Sequence, residues 1–307
     1  RPVVAETTAL GAAYAAGLQW VRASSVPGAR INYFFGKTSG TGWFFYFPVA
    51  LALKLTTAVV LGLLAALVAA AVVLARRGAT GRRRRLRLLA ARSLLPFFLG
   101  SAYLGAAMVS NVNIGVRHVA PSVPLFLLAA FGVLRTIVRR RPRAVVGVAV
   151  VALAALEAGA YLGREIPFGN LVAGGPAGVR KVLSDSNVDW GERLGAAFER
   201  ARKGDLGRVG IVSLFWDAQA AAQAGVLFVD EFVPGRVDTL LVSTFLWDLG
   251  PALARNDQDY EKFRSLKEWF DPFMQRIRDE AVSVEPFLDE YLIIRLRPSA
   301  SPAAPTR

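Results

Sequence analysis

Cysteine is absent from the 307-residue chain, and histidine occurs once, at His118. Without cysteine there is no disulfide framework, so any domain that lies outside a cell must be held together by its own core. A single histidine, with no nucleophile elbow elsewhere in the sequence, also gives almost no support for Ser/His/Asp catalysis.

Acidic residues are nearly missing from the first half of the chain. Residues 1–163 contain 19 Lys and Arg but only 2 Asp and Glu, a net charge of +17, whereas residues 164–307 contain 18 and 21, a net charge of −3. Thirteen of the 19 cations lie in two blocks beside apolar runs, at 76–92 and 135–143. This is the positive-inside pattern of membrane proteins. We expect no nucleic-acid partner, because no aromatic residues alternate with the arginines.

Hydrophobic residues make up 54% of the chain and are concentrated in long runs. The runs predict four transmembrane spans, at about 43–75, 93–110, 121–137 and 144–163, because ~20 apolar residues cross a bilayer. If both arginine blocks are cytoplasmic, residues 1–42, the loop with Arg117 and His118, and everything after 163 lie outside. The sequence therefore predicts a multi-pass protein of the cell membrane with the lipid bilayer as its surroundings.

The two flanks of this membrane region differ in character. Residues 1–42 are interpreted as an outer amphipathic helix and loop. The sequence begins with Arg1-Pro2, and we do not expect these first residues to act as a signal peptide. We interpret it as the carboxyl-terminal part of a larger polytopic protein, with a processed mature chain as the alternative.

Residues 164–297 predict a small extracytoplasmic α/β domain. Apolar runs predict strands and periodic segments predict helices; the strands are expected at 209–215, 239–244 and 291–296, and the helices at about 190–203, 216–224 and 258–280. The Pro, Ala and Ser-rich tail at 298–307 is expected to be disordered. The fold class is thus an α-helical polytopic membrane region of about four spans followed by this domain.

An outer-domain motif, Asp185, Asn187, Asp189 and Trp190, imitates the opening of a calcium loop. An EF-hand loop requires glycine at its sixth position and glutamate at its twelfth, where this chain has Trp190 and Ala196. We therefore predict no metal here. A helix start capped by Asn187 or Asp189 fits the segment better, and a substrate or partner contact remains the other interpretation.

Cations next to the apolar runs are candidates for binding an anion. Arg117 and His118 lie between the second and third spans, and an ionisable cluster at a membrane edge indicates a functional site. Lys54 and Lys37 on the preceding elements complete the cluster if the first span packs beside the third. The alternatives are that Arg117 anchors its loop to lipid headgroups, and that Lys54 extends its side chain to the interface without touching a ligand.

Four groups of motifs together resemble a known family. They are Tyr33-Phe34-Phe35-Gly36-Lys37 with Gly42-Trp43-Phe44-Phe45-Tyr46-Phe47-Pro48 and Lys54; Asn113-Ile114-Gly115-Val116-Arg117-His118 with Pro121 and Pro124; Gly174-Gly175-Pro176; and Asp185 to Gly191. In type and order they resemble the carboxyl-terminal half of lipid-carrier-dependent membrane glycosyltransferases of the GT-C fold, which are similar to protein O-mannosyltransferases and aminoarabinose transferases. The resemblance covers about residues 20–195.

The resemblance implies a chemistry and its partners. The family transfers a sugar from a polyprenyl-phosphate carrier to a glycan or protein acceptor on the outer face of the membrane. Its catalytic base and metal-binding acids lie in a first outer loop that nothing here matches, so no catalytic residue is assigned. No cofactor is expected in this chain, and a divalent metal is a candidate for the full-length enzyme. The alternative is a non-enzymatic membrane-anchored module whose outer domain binds a glycan or protein.

Overall fold

The computed structural model describes residues 2–75, 82–137, 140–231, 233 and 235–298. The expected tail at 298–307 therefore lies outside the described residues, apart from Pro298. The first elements are α1 (Pro2–Ser24), a hairpin of β1 (Asn32–Phe34) and β2 (Lys37–Ser39), and α2 (Tyr46–Lys54). Side chains at 11–23 of α1 are exposed, whereas the hairpin packs against the rest of the molecule.

The apolar half of the chain is helical. Its elements are α3 (Thr57–Ala75), α4 (Arg82–Leu89), a π-helical turn (Ala90–Leu94), α5 (Leu95–Met108), a 3₁₀ turn (Val116–Val119), α6 (Ser122–Ile137) and α7 (Arg140–Gly159). Within the described residues, two helical stretches are long and apolar enough to cross a membrane, Thr57–Ala75 and Leu86–Met108. The apolar parts of α6 and α7 are shorter, Ser122–Thr136 and Ala144–Gly159.

The first predicted span is two helices and not one. Leu55, between α2 and α3, has an extended backbone with ψ of 149°. Glu157 near the end of α7 accepts hydrogen bonds from the backbone N and the Oγ1 of Thr57, at 2.6 and 2.8 Å, and from Leu171 N at 3.0 Å. This carboxylate therefore accepts from the backbone amide at the start of α3, which has no partner within the helix.

The helices pack closely at a glycine. A Cβ on Gly132 of α6 would lie 2.7 Å from Arg92 O in the π-helical turn, so only glycine allows this approach. Helix α6 also contacts α3 and α5, which places it at the centre of the bundle.

Residues after 163 form the predicted α/β layer, which is called the outer domain after its predicted side of the membrane. Its helices are α8 (Gly175–Val182), α9 (Leu194–Arg202), α10 (Ala218–Ala224), α11 (Thr244–Ala254) and α12 (Glu261–Glu280), and its strands are β3 (Val209–Val212), β4 (Val226–Phe228), β5 (Thr239–Ser243), β6 (Ala281–Phe287) and β7 (Tyr291–Leu296). The sheet order is β4-β3-β5-β7-β6, with β3 parallel to β4 and β5, and β7 antiparallel to β5 and β6. Helices α11 and α12 cover one face, and α9 and α10 the other.

Strands β3, β5 and β7 confirm the three strand predictions, and α9, α10 and α12 confirm the three helices. The predicted cap is wrong, because α9 begins at Leu194, with Arg193 in the capping position, and neither Asn187 nor Asp189 caps it. Their side chains have partners elsewhere in the fold.

Candidate functional site

Arg117 and His118 project from a short 3₁₀ turn that is fixed to the rest of the molecule. Both side chains are exposed, whereas Val119 in the same turn is fully buried. Val119 packs in a cluster with Tyr46 and Phe47 of α2. The turn therefore presents two polar side chains from a rigid base.

The turn is anchored through its backbone. The hydroxyl of Tyr46 accepts a hydrogen bond from Gly115 N at 3.0 Å, and Asn187 Oδ1 accepts one from Val116 N at 2.9 Å. Gly115 has φ of 120°, and a Cβ there would lie 2.7 Å from Ser186 Oγ. This conformation and this approach both require glycine.

The outer-domain motif supplies the anchor. Tyr46 donates its hydroxyl proton to Asp185 Oδ2 at 2.5 Å, and Asp185 Oδ1 accepts from both the backbone N and the Nδ2 of Asn187 at 2.8 Å. Asp185 is buried, and burial raises its pKa to about 7 against the opposing effect of these hydrogen bonds and of Lys54. The motif thus connects α2, the 3₁₀ turn and the start of the outer domain.

Asp189 of the same motif has a separate set of partners. Its Oδ2 accepts from Ser243 Oγ at 2.5 Å and its Oδ1 from Gly191 N at 2.8 Å. Burial raises the pKa of this carboxyl. The donors occupy the oxygens that a cation needs, and the described residues contain no group of three His, Cys, Asp or Glu suited to a metal. These acids, with their oxygens already hydrogen-bonded, do not fit a divalent metal.

Trp190 joins the motif to Arg117. The guanidinium carbon of Arg117 lies 4.0 Å from the centroid of the Trp190 ring, and Trp190 is itself 5.6 Å from Phe215. Such stacking holds the guanidinium plane in place. Among the residues that the structure describes, Arg117 forms no ion pair with a carboxylate. Its N–H groups are therefore oriented without being neutralised.

A third cation lies near this pair and was missed from the sequence. Arg30 lines the same cavity as Ile114, which lies three residues before Arg117. Burial lowers the pKa of His118, and the charges of Arg117 and Arg30 lower it further. Arg30 lies two residues before the β1–β2 hairpin, and its guanidinium lies 5.1 Å from the ring of Trp20. Arg30 lies between the apolar helix α1 and the aromatic run Tyr33-Phe34-Phe35, and this position in the sequence could have identified it as a candidate.

Lys54, one of the predicted phosphate ligands, is half-buried beneath the site. Its Nζ donates to Ile166 O at 2.5 Å and to Asn187 O at 2.8 Å, and burial lowers its pKa to about 7. It therefore reaches Asn187, which in turn holds the 3₁₀ turn, and no contact joins it to Arg117 among the described residues.

Lys37, the fourth predicted ligand, is exposed on the β1–β2 hairpin. The hairpin is fixed to the two residues that follow α11, because Asn256 Nδ2 donates to Thr38 O at 2.7 Å and Arg255 Nη2 donates to Gly36 O at 3.0 Å. The structure thus brings Arg117 and His118 together with Trp190 and Arg30, and gives Lys37 no contact with them in the described part of the chain.

The fold and site together define a helical, apolar region joined to a carboxyl-terminal α/β domain by a buried polar network, with exposed cations at the junction. Comparison with protein-family models, with curated proteins and with solved structures finds no match for this chain.

Proposed function

We propose that this chain is part of an integral membrane glycosyltransferase that transfers a sugar from a polyprenyl-phosphate carrier to a glycan or protein acceptor on the outer face of the membrane. The observation that carries the proposal is Arg117, an exposed arginine held on Trp190 with no carboxylate partner among the described residues. The planar guanidinium of arginine can donate two parallel N–H hydrogen bonds to a phosphate group.

The proposal places four helical spans in the membrane, formed by α3, α4 with α5, α6, and α7, and puts the cationic blocks in the cytoplasm. Contacts at one end of the bundle support it. Thr57 at the start of α3 meets Glu157 near the end of α7, and Arg117 between α5 and α6 meets Trp190 of the outer domain. An even number of crossings brings these ends to the same side, with the basic residues 84 and 87 of α4 at the opposite ends.

The cations have distinct roles in this proposal. Arg117 binds the phosphate oxygens directly. His118, whose pKa is lowered, is neutral at pH 7 and donates one N–H, and Arg30 adds positive potential. Lys54 positions the turn through Asn187, and Lys37 is retained as a more distant ligand. The base that activates the acceptor and any divalent metal are expected outside these residues, as the family resemblance implies.

The proposal is tested by titrating farnesyl phosphate, a soluble polyprenyl phosphate, against the chain in nanodiscs. A charge-assisted hydrogen bond contributes about 1.5–3 kcal/mol, so Arg117→Ala is expected to weaken binding by about one to two powers of ten. Arg117→Lys recovers part of the affinity, because an ammonium cannot reproduce the planar fork.

Arg164 offers a matched control. It is also an arginine next to an aromatic ring, 5.6 Å from Tyr161, but it forms an ion pair with Asp289 at 3.4 Å. Arg164→Ala is expected to leave the affinity unchanged, and farnesol, which lacks the phosphate, is expected to show no dependence on Arg117. If Arg117→Ala binds farnesyl phosphate as the unaltered chain does, with its melting temperature intact, the donor site is refuted and the anchored binding module becomes the better explanation.

A further inference from the structure

A cavity of about 530 Å³ lies between the outer domain and the segments that precede the membrane helices. It is lined at the carboxyl ends of three parallel strands, by Leu214 after β3, Val229 after β4 and Phe245 after β5. Strand β4 pairs with one edge of β3, and β5, the next strand along the chain, pairs with the other edge. The strand order therefore reverses at β3, which marks a switch point of the sheet. Open α/β sheets bind ligands at this position, and the volume is in the usual range of ~300–1,000 Å³.

The floor and far wall of this cavity are apolar. Leu246, Leu249 and Phe270 contribute buried surface from α11 and α12, and Trp269, which is 52% exposed, stands at the mouth. These side chains belong to a well-packed core or border it. An aromatic or aliphatic group that enters the cavity therefore leaves water for a preformed apolar surface.

The near wall carries two cations held side by side. Lys262 Nζ donates to Ala29 O at 3.2 Å, which fixes it next to Arg30, and Arg30 Nε donates to Ser24 O at 3.2 Å. Both line the cavity, and in the described part of the chain neither forms an ion pair with a carboxylate. Asp230, the one acid among the described lining residues, also lines the neighbouring surface depression together with Trp269.

We propose that this cavity binds a small amphiphilic anion, an apolar ring or chain with one carboxylate or phosphate. The apolar part lies over Leu246 and Phe270, and the anion lies against Arg30 and Lys262. This cavity shares Arg30 with the donor site, but Arg117 and His118 do not line it, so the proposal does not rest on the donor site. Arg30 and Lys262 can bind either a carboxylate or a phosphate. A preference for carboxylate would indicate a soluble acid as the ligand, and a preference for phosphate would indicate a lipid-type headgroup.

The test is a ligand-observed NMR titration of the full chain in nanodiscs, with empty nanodiscs subtracted. The probes share one aromatic body: 4-phenylbutanoate, 2-phenylethyl phosphate, and the neutral 4-phenylbutanol. Exposed charge pairs contribute about 0.2–1 kcal/mol, so Lys262→Gln is expected to weaken binding of the anions by about 1.4- to fivefold. Lys203→Gln, an exposed lysine after α9 on the other face of the sheet, is the matched control and is expected to change nothing.

Leu266→Trp places a larger side chain in the cavity and is expected to abolish binding of all three probes. Tighter binding of 4-phenylbutanoate indicates a soluble acid as the ligand, and tighter binding of 2-phenylethyl phosphate indicates a lipid-type headgroup. Either preference supports the site. The proposal is overturned if the alcohol binds as tightly as the acids, or if Lys262→Gln and the control bind alike. Because Lys262 is exposed, its replacement does not threaten the fold even where Leu266→Trp lowers stability. Arg117→Ala is expected to leave 4-phenylbutanoate binding intact, which separates this test from that of the donor site.

Discussion

Leucine side chains have opposite surroundings in the two halves of the molecule. Leu61 in α3 is 57% exposed, whereas Leu240 and Leu241 in β5 are fully buried. Only 6% of the apolar stretch Thr57–Ala75 is buried inside the structure. The outer domain completes its own hydrophobic core, and the helical region leaves apolar surface that needs a partner outside these residues. In the proposed function that partner is lipid.

A matched pair of truncations would break this comparison most directly. Leu240→Ala removes a fully buried side chain, and such changes cost about 2–5 kcal/mol, whereas Leu61→Ala is expected to cost less than about 1 kcal/mol because no protein cavity forms. The measurement is the urea midpoint of the outer domain in nanodiscs, followed by pulse proteolysis, together with the thermal stability of the whole chain. Equal losses for both variants would mean that α3 is packed in a protein core.

The outer domain was more predictable from sequence than its junction with the helices. Strands β3, β5 and β7 are short apolar runs and were predicted, because burial on both faces gives a continuous hydrophobic pattern. Strand β6 was missed because it is an edge strand with exposed residues and contains Pro286. Strand β4 was missed because three residues, Val226–Phe228, carry too little pattern.

The candidate site could be predicted only in part. Arg117 and His118 were identified from their place between apolar runs, and Trp190 from its motif. The bond between Tyr46 and Asp185 joins residues 139 positions apart, and no local pattern predicts it. Lacking that partner, Asp185 to Asp189 resembled a helix start. The break between α2 and α3 was missed for the same reason, because Asn170 Nδ2 satisfies the carbonyls of Ala52 and Leu55 from a distant segment.

A second pair of variants would sharpen the comparison at helix starts. Asp217 caps α10 in the outer domain by accepting from Ala220 N at 2.9 Å, and Glu157 serves α3 by accepting from Thr57 N at 2.6 Å. Asp217→Ala is expected to cost about 1 kcal/mol because water replaces the cap, and Glu157→Ala about 2 kcal/mol because three donors lose their acceptor.

Amide hydrogen exchange of the first turn measures both caps locally. The expected increases are about fivefold for α10 and about thirtyfold for α3. Glu157→Gln keeps acceptor oxygen and is expected to fall between the unaltered chain and Glu157→Ala. If the increase in exchange caused by Asp217→Ala in α10 were larger than that caused by Glu157→Ala in α3, the start of α3 would be as well hydrated as the start of α10.

The last comparison concerns the place where the two regions meet. Glu290, in the turn between β6 and β7, is fully buried, and no described residue donates a hydrogen bond to either of its carboxyl oxygens; Arg193 Nε is 4.0 Å away. Arg193 also donates to Gly163 O, which follows α7, so Arg193 connects Glu290 to the end of the helical region. Burial raises the pKa of Glu290 to about 8, with Glu192 adding to the shift and Arg193 opposing it.

The sign of the pH dependence follows from this shift. An unfolded glutamate titrates near pH ~4.3, so between about pH 5 and 8 the folded chain holds a proton that the unfolded chain has lost. Glu290 therefore contributes stability that is complete at low pH and disappears as the pH rises towards 8. We expect a loss of about 1–3 kcal/mol of stability, because Arg193 can turn towards the ionised carboxylate and offset part of the cost.

Urea midpoints at pH 5, 6, 7 and 8 measure this loss. Glu290→Gln is expected to flatten this slope, leaving the part due to Asp185, and Glu268→Gln, an exposed glutamate on α12, is expected to retain it. If Glu290→Gln and Glu268→Gln keep the same slope, Glu290 is already ionised at pH 7, and its closest partner, Arg193, must hold the junction as a formed ion pair.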